Sequence, residues 1–500
     1  MISLLSRTGS IPKEDTGELQ YPPFFVDLNI DQILERITDG WGEDVRSLYL
    51  AFPATKEDEE YRRAVYGDFK KKEVLAAMTE YYTGMRERAL YAERRENAYE
   101  EVQKQVWQLR EICSYALAAE KLCEKLKEAQ LASEGMKGFT AYLSECVNEE
   151  GYRSMREEAL TLWKELSAFR VVLTYEKERF TLAESKGEGD YENFLAECFP
   201  GVKKDFQSPF LDREYYSRLE EEVVKLFRKK HKPFFRQLES FCKEHPEYIH
   251  DGIREAEQEM PYYLSYAQFE AKMQEKGMVF ATPKTSPDKL SASGLYDLAL
   301  ALANQAKGKD VVANELYLAP EERFFVLTGP NQGGKTTYGR SLGQLVYFSK
   351  MGLDVPAESA LVPHYSNLWT HFSVEESAET GRGKLMDELV RLKPIMEEEE
   401  EGAFVVINEL FTTAANFDAI EMGKRVLEFL IGKNCRGIYV THLGELASSC
   451  EGVVSLRAEV DENNVQTYRI DRNEAVEPGG TNSQVLKYRL TYEQLKERFS

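Results

Sequence analysis

The sequence predicts a C-terminal α/β domain, preceded by a mainly α-helical region that carries a small β-containing tip. After about residue 310, apolar strand-like runs alternate with helix-compatible stretches, which is the pattern of an α/β domain. Before it, residues 73–134 are rich in Ala, Leu, Glu, Lys and Arg and contain no proline, which favours helix. Between two such helical arms, residues 170–183 alternate in polarity and include several β-branched side chains, which predicts a hairpin.

The expected boundaries follow from these patterns. Residues 1–23 are polar and predicted to be loosely ordered, and residues 24–280 form the helical region, with the tip at about 168–215. Residues 281–500 form the α/β domain, entered through a turn-rich joint at 282–310. An unbroken helix over residues 73–134 would reach roughly 70–90 Å, which is the length of a lever rather than of a core helix.

The totals exclude several classes of protein. The 500 residues are too many for one compact core, and 64 Lys and Arg against 86 Asp and Glu give a net charge of −22. Affinity for a phosphate backbone comes mostly from clustered cations, so this charge argues against a general nucleic-acid binder. The sequence shows no secretory signal and no apolar run of about 20 residues, so we expect a cytoplasmic protein with no membrane contact. The seven cysteines form no C-x-x-C pair, which favours reduced thiols.

A phosphate-binding motif follows the first buried strand of the α/β domain. Residues 324–328 are apolar, and Gly329–Thr336 fits G-x-x-x-x-G-K-[ST] before a helix-compatible stretch. Glycines at these places let backbone N–H groups surround phosphates, and the helix N-terminus adds a favourable dipole. The predicted nucleotide-binding residues are Gly329, Pro330, Asn331, Gln332, Gly333, Gly334, Lys335, Thr336 and Thr337. We expect a nucleoside triphosphate, with Lys335 on the β- and γ-phosphates and the Thr336 hydroxyl on Mg²⁺.

The second buried strand, residues 403–407, ends in Asn408 and Glu409. At this place, P-loop ATPases carry an acidic Mg²⁺ partner followed by a carboxylate that orients or activates water. Asn408 offers the metal an amide oxygen without negative charge, so Mg²⁺ would depend more on Thr336, the phosphates and water. Glu409 retains the role of general base. The alternative is that the pair only terminates a strand.

A third apolar strand, residues 437–441, ends in His442. It follows the Glu409 strand after an intervening helix at about 420–430, which is the position of a switch that senses the γ-phosphate. A purely structural histidine is the alternative.

Five motifs resemble the ATPase domain of the MutS mismatch-repair family. They are Gly329–Thr337, Val355–Ala357, Gly381–Met386, Asn408–Glu409 and Thr441–Leu446, in the family's order and at about its spacing. Upstream, Asp27–Ile33 and Glu259–Leu264 resemble the family's core and lever, and the tip takes the place of its clamp. The resemblance covers nearly everything from about residue 24.

The resemblance implies a P-loop ATPase of the ABC type that uses ATP and Mg²⁺ and works as a dimer with two composite sites. We expect a homodimer, and a paralogue as the second subunit is the alternative. It places the Gly383 N–H and Lys384, at a helix start, on the γ-phosphate bound by the partner subunit. The alternative is an ordinary helix-start loop. It also places Asn314 near the adenine, where a surface role is the alternative.

The sequence departs from the family in two places that bear on function. The mismatch-recognition and connector domains should precede the core, and the residues before Phe24 cannot hold them, so direct reading of a mismatch is not expected. The signature stretch, which usually carries Ser-Thr before an aromatic residue, has Gly383, Lys384 and Leu385.

The ligand of the arms stays open between DNA and a protein. The predicted tip holds seven Lys and Arg against ten Asp and Glu, whereas a clamp on duplex phosphates should be basic. Residues 227–236 are cationic with interleaved aromatic side chains, which suits single-stranded nucleic acid or simply a charged helix end. A scaffold that binds ATP, hydrolyses it slowly because of Asn408 and holds a protein partner is the competing hypothesis.

Overall fold

The computed structural model describes residues 3–7, 21–169, 171–176, 179–184, 225–305, 307–372, 383–398, 401–462 and 465–472. In chain order, the helical region contains α1 (Pro23–Asp27), α2 (Ile30–Ile37), α3 (Glu43–Ser47), α4 (Lys56–Phe69), α5 (Lys72–Glu96), α6 (Glu101–Glu128), α7 (Glu134–Asn148), α8 (Glu150–Ala168), β1 (Val171–Glu176), β2 (Arg179–Glu184), α9 (Lys232–Glu244) and α10 (Asp251–Gln274). The α/β part contains β3 (Lys284–Ser286), β4 (Leu290–Leu295), α11 (Leu298–Gln305), β5 (Asn314–Leu318), β6 (Phe324–Thr328), α12 (Lys335–Lys350), β7 (Ser359–Pro363), β8 (Leu368–Phe372), α13 (Lys384–Glu398), β9 (Phe404–Asn408), α14 (Asn416–Gly432), β10 (Arg436–Val440), a 3₁₀ helix (Gly444–Ser448), β11 (Val453–Val460) and β12 (Gln466–Arg472).

Within these ranges, no helix has the length and apolar character needed to cross a membrane. The cysteines at 113, 123, 146, 242, 435 and 450 are free thiols, and all but Cys450 are buried.

The predicted lever of residues 73–134 is wrong as a single rod, because it folds back on itself. The chain leaves helix after Glu96, and a capping box between Glu100 and Gln103 starts α6. Helix α6 then packs antiparallel to α5, so Arg95 reaches Glu111 at 3.1 Å near the turn. The proline-free, helix-favouring stretch that suggested one long helix thus forms the two helices of a hairpin, and α5 alone spans only about 37 Å.

The small hairpin predicted within the tip is confirmed. Strands β1 and β2 pair antiparallel, with Val171 opposite Glu184 and Glu176 opposite Arg179. The remainder of the tip expected at 168–215 lies largely outside the described residues.

The polar composition predicted a loosely ordered start of the chain, and for residues 3–7 this prediction is wrong. They are docked in the helical core. Leu4 and Leu5 are fully buried. The Glu259 carboxylate on α10 accepts a hydrogen bond from the Ser3 hydroxyl at 2.8 Å and another from the Leu4 N–H at 2.5 Å. The Tyr263 hydroxyl donates to the Leu4 carbonyl at 2.7 Å. This segment satisfies its backbone against helices rather than water, which explains its order.

A six-stranded sheet carries the α/β part, in the order β12-β11-β6-β10-β9-β8. All its neighbours pair parallel except the edge strand β12, which runs antiparallel to β11. Strands β6, β9 and β10 are buried along nearly their whole length, as continuous apolar runs in a parallel sheet should be. The alternation of apolar strands and helices read from the sequence is therefore confirmed.

A second, four-stranded sheet has the order β3-β7-β4-β5. It includes β3 and β4, which come from the segment predicted as a turn-rich joint. That prediction is wrong: Leu290–Leu295 pairs antiparallel with both β5 and β7 and buries Leu290, Ala292 and Leu295. Ser291, Ser293 and Gly294 between the apolar positions concealed this strand, and its pairing partners come together only in the folded chain.

Helix α12 lies against the helical region, and one hydrophobic core runs through both parts. The Tyr347 hydroxyl donates to the Tyr49 carbonyl at 2.8 Å, and the Gln344 amide donates to the Leu28 carbonyl at 2.9 Å. A Cβ on Gly343 would meet the Leu28 side chain at 2.5 Å, so glycine permits this close approach. A separate, smaller core covers the other face of the six-stranded sheet, under α13 and α14.

Candidate nucleotide-binding site

Three strand ends meet at one edge of the six-stranded sheet. Val440, the last residue of β10, lies opposite Leu327 of β6 on one side and Asn408 of β9 on the other. The chain therefore emerges side by side into the loop at Gly329, the turn at Glu409 and the segment at Thr441. The carboxyl ends of parallel strands at a crossover are the usual place for a ligand in an open α/β sheet.

The backbone of the glycine-rich loop is shaped by its glycines. Gly329 has φ +134°, and a Cβ there would lie 2.9 Å from that of Ala458 on β11. Gly334 has φ +87° and precedes the first turn of α12. Gln332 also lies in the left-handed region, at φ +63°. Such a loop directs N–H groups towards one concave side, which is the geometry of an anion-binding nest.

Lys335 is buried and folded into its own loop. Its Nζ donates to the carbonyl of Gly329 at 2.8 Å and to that of Pro330 at 3.0 Å. Burial lowers the pKa of this ammonium group, and the nearby Glu409 carboxylate opposes the change. A cation with so few compensating charges would gain from an anion in the loop.

Thr336 and Asn408 contact each other across the gap between α12 and β9. The Thr336 hydroxyl donates to the Asn408 amide oxygen at 3.0 Å. Both oxygens are neutral, and the described part of the chain shows no group of three or more His, Cys, Asp and Glu suited to a metal. The pair fits Mg²⁺ as hard oxygen ligands, provided that the phosphates of a nucleotide bring the negative charge.

Glu409 lies at a sharp turn after β9. Its φ is +55°, and Phe411 two residues later has φ +62°, both unusual for residues other than glycine. The Glu409 N–H donates to the Val440 carbonyl at 2.9 Å, which ties the turn to β10. The side chain is half-buried and near enough to Lys335 to influence its pKa. Neither φ value can be read from the sequence, because nothing in Glu-Leu-Phe marks a left-handed turn.

His442 is exposed just after β10, while the Thr441 hydroxyl before it accepts the Leu443 N–H at 3.1 Å. Its role as a γ-phosphate sensor stays a prediction. A different histidine, His371 on β8, is fully buried behind the site. Its Nε2 lies 3.1 Å from the Glu388 carbonyl, and burial lowers the pKa of its imidazole. Sequence reasoning assigned no role to either His371 or Glu388, because each gains meaning only from its partner.

The Asn314 amide is engaged with strand β12. Its nitrogen donates to the Tyr468 carbonyl at 3.1 Å, and its oxygen accepts the Ile470 N–H at 2.9 Å. These bonds give Asn314 a structural role, and its contact with an adenine stays a prediction. They also place Tyr468 beside the loop, where a Cβ on Gly334 would lie 3.4 Å from the Tyr468 ring. No pattern in the sequence pointed to Tyr468.

The predicted partner-facing residues lie at the start of α13. The Gly383 carbonyl accepts the Met386 N–H at 2.8 Å, and helix begins at Lys384. Gly381 and Arg382 of the same motif lie outside the described residues. This geometry suits both an ordinary helix start and a contact with the nucleotide of the partner subunit. Both interpretations of Gly383 and Lys384 stay predictions.

The basic and aromatic segment at 227–236 does not present its rings to solvent. Phe234 and Phe235 are buried, and Phe169 packs edge-on against Phe227 and Phe234 at 5.2 and 5.3 Å between ring centroids. Arg228, Lys229, Lys230, Lys232 and Arg236 stay exposed. The aromatic half of the proposed single-strand grip is thus used in internal packing, which favours the charged helix end.

Comparison with known proteins finds similarity to one family over the C-terminal region. Residues 325–484 match the family described as MutS domain V, a range that includes the glycine-rich loop, Glu409 and His442. This match, which covers about a third of the chain, supports membership of the MutS family. The DNA mismatch repair protein MutS of Thermosipho melanesiensis is 30% identical over 159 residues, which is 31% of this chain and 19% of that protein.

Two further MutS relatives support the assignment. The DNA mismatch repair protein MutS of Fervidobacterium nodosum is 29% identical over 149 residues, covering 30% of this chain and 18% of its own length. The protein of the same name from Chlamydia trachomatis is 28% identical over 179 residues, covering 35% of this chain and 22% of its own length. The chain thus matches only about a fifth of the length of these curated MutS proteins.

Proposed function

We propose that this chain binds ATP and hydrolyses it at composite sites shared by two subunits of a homodimer, and that the cycle moves its helical arms without direct recognition of a mismatch. MutS family proteins are ATPases, which supports the reaction class. The observation that carries the proposal is the meeting of Lys335, the Thr336–Asn408 pair and the Glu409 turn at one edge of the sheet.

The loop and Lys335 bind the phosphates. Nucleotide binding exchanges the two loop carbonyls that now hold the Lys335 ammonium for phosphate oxygens, which are stronger partners for a buried cation. The backbone N–H groups of the glycine-rich loop and the N-terminus of α12 complete the cradle. Lys335 thereby compensates charge that develops on the γ-phosphate during transfer.

Thr336 and Asn408 would hold Mg²⁺, which when bound offsets phosphate charge and orients the β- and γ-phosphate oxygens. Glu409 then accepts a proton from the attacking water, and His442 at the end of the adjacent strand senses the γ-phosphate. The partner's site is completed by the Gly383 N–H and Lys384 at the start of α13, so that ATP joins the two subunits and hydrolysis releases them.

Steady-state ATP hydrolysis by the purified full chain tests this proposal. We expect Mg²⁺-dependent turnover that Lys335→Ala abolishes through loss of ATP binding. Glu409→Gln should retain ATP binding but lower kcat by about a hundredfold, in the range of a lost general base. Turnover unchanged in Glu409→Gln would refute the assigned role. Glu397→Gln, an exposed carboxylate on α13, is the matched control.

The second candidate function is a nucleotide-switched scaffold, and Asn408 favours it. A neutral amide in place of an acid weakens the hold on Mg²⁺, so the chain would stay ATP-bound for long periods and present its arms to a protein partner. Asn408→Asp should then raise kcat strongly with little change in ATP affinity. If turnover is already fast and Asn408→Asp changes nothing, the scaffold hypothesis fails.

The net charge of −22 favours a protein rather than DNA as the ligand of the helical arms. The burial of Phe234 and Phe235 adds to that argument, because these rings are not available to stack on bases. Binding to duplex, branched and single-stranded DNA at low salt, with and without ATP, decides between them. DNA affinity that falls steeply with salt would make the chain a DNA-handling ATPase. Turnover and binding indifferent to every DNA would assign the arms to a protein.

A further inference from the structure

Glu388, on α13, supplies a side-chain hydrogen bond to the turn that carries Glu409. The Phe411 N–H donates to Glu388 Oε2 at 3.0 Å. Glu388 is only 3% exposed. Burial of a carboxylate is costly unless its hydrogen bonds are worth more, so a buried glutamate aimed at a main-chain N–H beside a reaction site invites a functional explanation.

We propose that Glu388 is a positioning residue that aims the Glu409 carboxylate for hydrolysis; this rests on the function proposed above. The turn has two left-handed residues, Glu409 at φ +55° and Phe411 at φ +62°. Such conformations persist only where the surroundings hold them. Two bonds hold this turn from opposite sides: Glu409 N–H to the Val440 carbonyl, and Phe411 N–H to Glu388.

The first bond anchors the turn to the sheet, and the second anchors it to a helix. Loss of the Glu388 bond frees Phe411 to relax towards an ordinary φ. Glu409 is two residues away on the same strained turn. Its backbone and carboxylate therefore change orientation when Phe411 relaxes. Errors of about 1 Å in such a group lower the rate of reaction without changing the ligand's binding contacts.

Helix α13 makes this bond responsive to the partner subunit. Glu388 lies about one helical turn after Lys384, near the N-terminal end of α13. This is the end of the helix that is assigned to the partner's γ-phosphate. The same helix is held to β8 by Arg391, whose guanidinium donates to the Phe372 carbonyl at 2.7 Å, and by the contact of His371 with the Glu388 carbonyl. A shift of α13 on engagement of a second nucleotide therefore carries Glu388, and with it the turn at Glu409.

The test uses two replacements of similar size. Glu388→Gln keeps an oxygen that accepts the Phe411 N–H, whereas Glu388→Met fills the space without an acceptor. We expect Glu388→Met to lower kcat by about tenfold or more while the Kd for a non-hydrolysed ATP analogue stays within about twofold. Glu388→Gln should keep kcat within about threefold of the unsubstituted protein. Equal losses in both variants, or a Kd that rises as much as kcat falls, would overturn the positioning role.

A double variant separates this inference from the proposed function. If Glu388 acts through Glu409, then Glu388→Met added to Glu409→Gln should cause no further loss of kcat, because the group being aimed is already gone. A further tenfold loss would mean that Glu388 acts by another route. Absence of turnover in the unsubstituted protein would refute the proposed function itself, and the positioning role with it. Turnover that depends on Glu409 but ignores Glu388 would refute only the inference.

Discussion

Helix α12 begins at the candidate site and α13 begins with the residues predicted to face the partner's site, yet the two helices are attached to the protein in opposite ways. Thirteen of the sixteen residues of α12 are buried, between the six-stranded sheet and the helical region. Of the described side chains of α13, only Glu388, Leu392 and Ile395 are buried, while Met386, Leu389 and Val390 are each more than 40% exposed. Helix α12 is fixed by packing, whereas α13 is held by a few directional polar bonds. The difference indicates that the loop at Lys335 is a rigid receptor and that α13 is the part able to move.

A buried ion pair at the C-terminal end of α12 is the contact whose loss should lower the free energy of unfolding most. Lys350 Nζ lies 3.0 Å from Glu59 Oε1, with side chains only 4% and 6% exposed. We expect Glu59→Gln to lower the free energy of unfolding by about 3–5 kcal/mol, because it leaves a buried ammonium without its counter-charge. Urea denaturation measures the loss. Glu60→Gln, which breaks only an exposed pair with Lys56, should cost less than about 1 kcal/mol. Equal effects at the two positions would contradict the picture of a packed anchor.

Matched truncations compare the two helices directly. Leu345 on α12 is fully buried and Leu389 on α13 is 42% exposed. Leu345→Ala should lower the free energy of unfolding by about 2–5 kcal/mol through lost burial and a cavity. Leu389→Ala should change it by no more than about 0.5 kcal/mol, since the side chain already meets solvent. A large loss at Leu389 would show that α13 is packed as firmly as α12.

The Glu270 carboxyl, which lies near Asp354 just after the end of α12, makes the free energy of unfolding sensitive to pH. Burial and the neighbouring Asp354 raise the pKa of the Glu270 carboxyl to about 7 from an ordinary value of 4.5. The folded protein therefore binds a proton more tightly than the unfolded chain, so stability should fall as pH rises from about 4.5 to 7. The full penalty is at most about 3 kcal/mol above pH 7.

Glu270→Gln should remove most of that slope. The amide can still accept the bond that the Tyr66 hydroxyl donates to Glu270, and it carries no charge at any pH. Thermal unfolding of both proteins between pH 5 and 8 gives the comparison. A slope that persists unchanged in Glu270→Gln would assign the pH dependence to other groups.

The smallest effect is expected on the side of α13. Arg391 lies 3.1 Å from Asp27 of α1, with the two side chains 28% and 11% exposed. A double-mutant cycle with Arg391→Met and Asp27→Asn should give a coupling of about 1 kcal/mol or less, as for a partly exposed pair. A coupling of several kcal/mol would make α13 a fixed element and weaken the proposed link between its movement and Glu409.

Local patterns were enough to predict much of this fold, and contacts between distant residues account for what was missed. The strands at 324–328 and 403–407 are continuous apolar runs, and the glycine-rich loop has a motif with its own context. The reversal after Glu96 was missed because a proline-free, helix-favouring composition suits a single rod and a helical hairpin equally well. The strand at Leu290 was missed because its pairing partners lie elsewhere in the chain.

The candidate site shows the same division. The sequence predicted Lys335, Thr336, Asn408 and Glu409 at strand ends, and the fold brings those strand ends together. Their chemical roles stay predictions that the kinetic experiments test. Glu388 could not be found by pattern, because a glutamate on a charged helix is ordinary until its hydrogen bond to a strained turn is seen.

The docking of Ser3 and Leu4 against Glu259 has a consequence for how the chain folds during synthesis. These partners are separated by 256 and 255 positions in the sequence. At about 5–20 residues per second, a ribosome needs roughly 13–50 s to make the intervening chain. During that time, the apolar side chains of Leu4 and Leu5 have no place to bury. Ser3 and Leu4 thus leave the ribosome long before Glu259 is made, and a chaperone that shields them has tens of seconds in which to act.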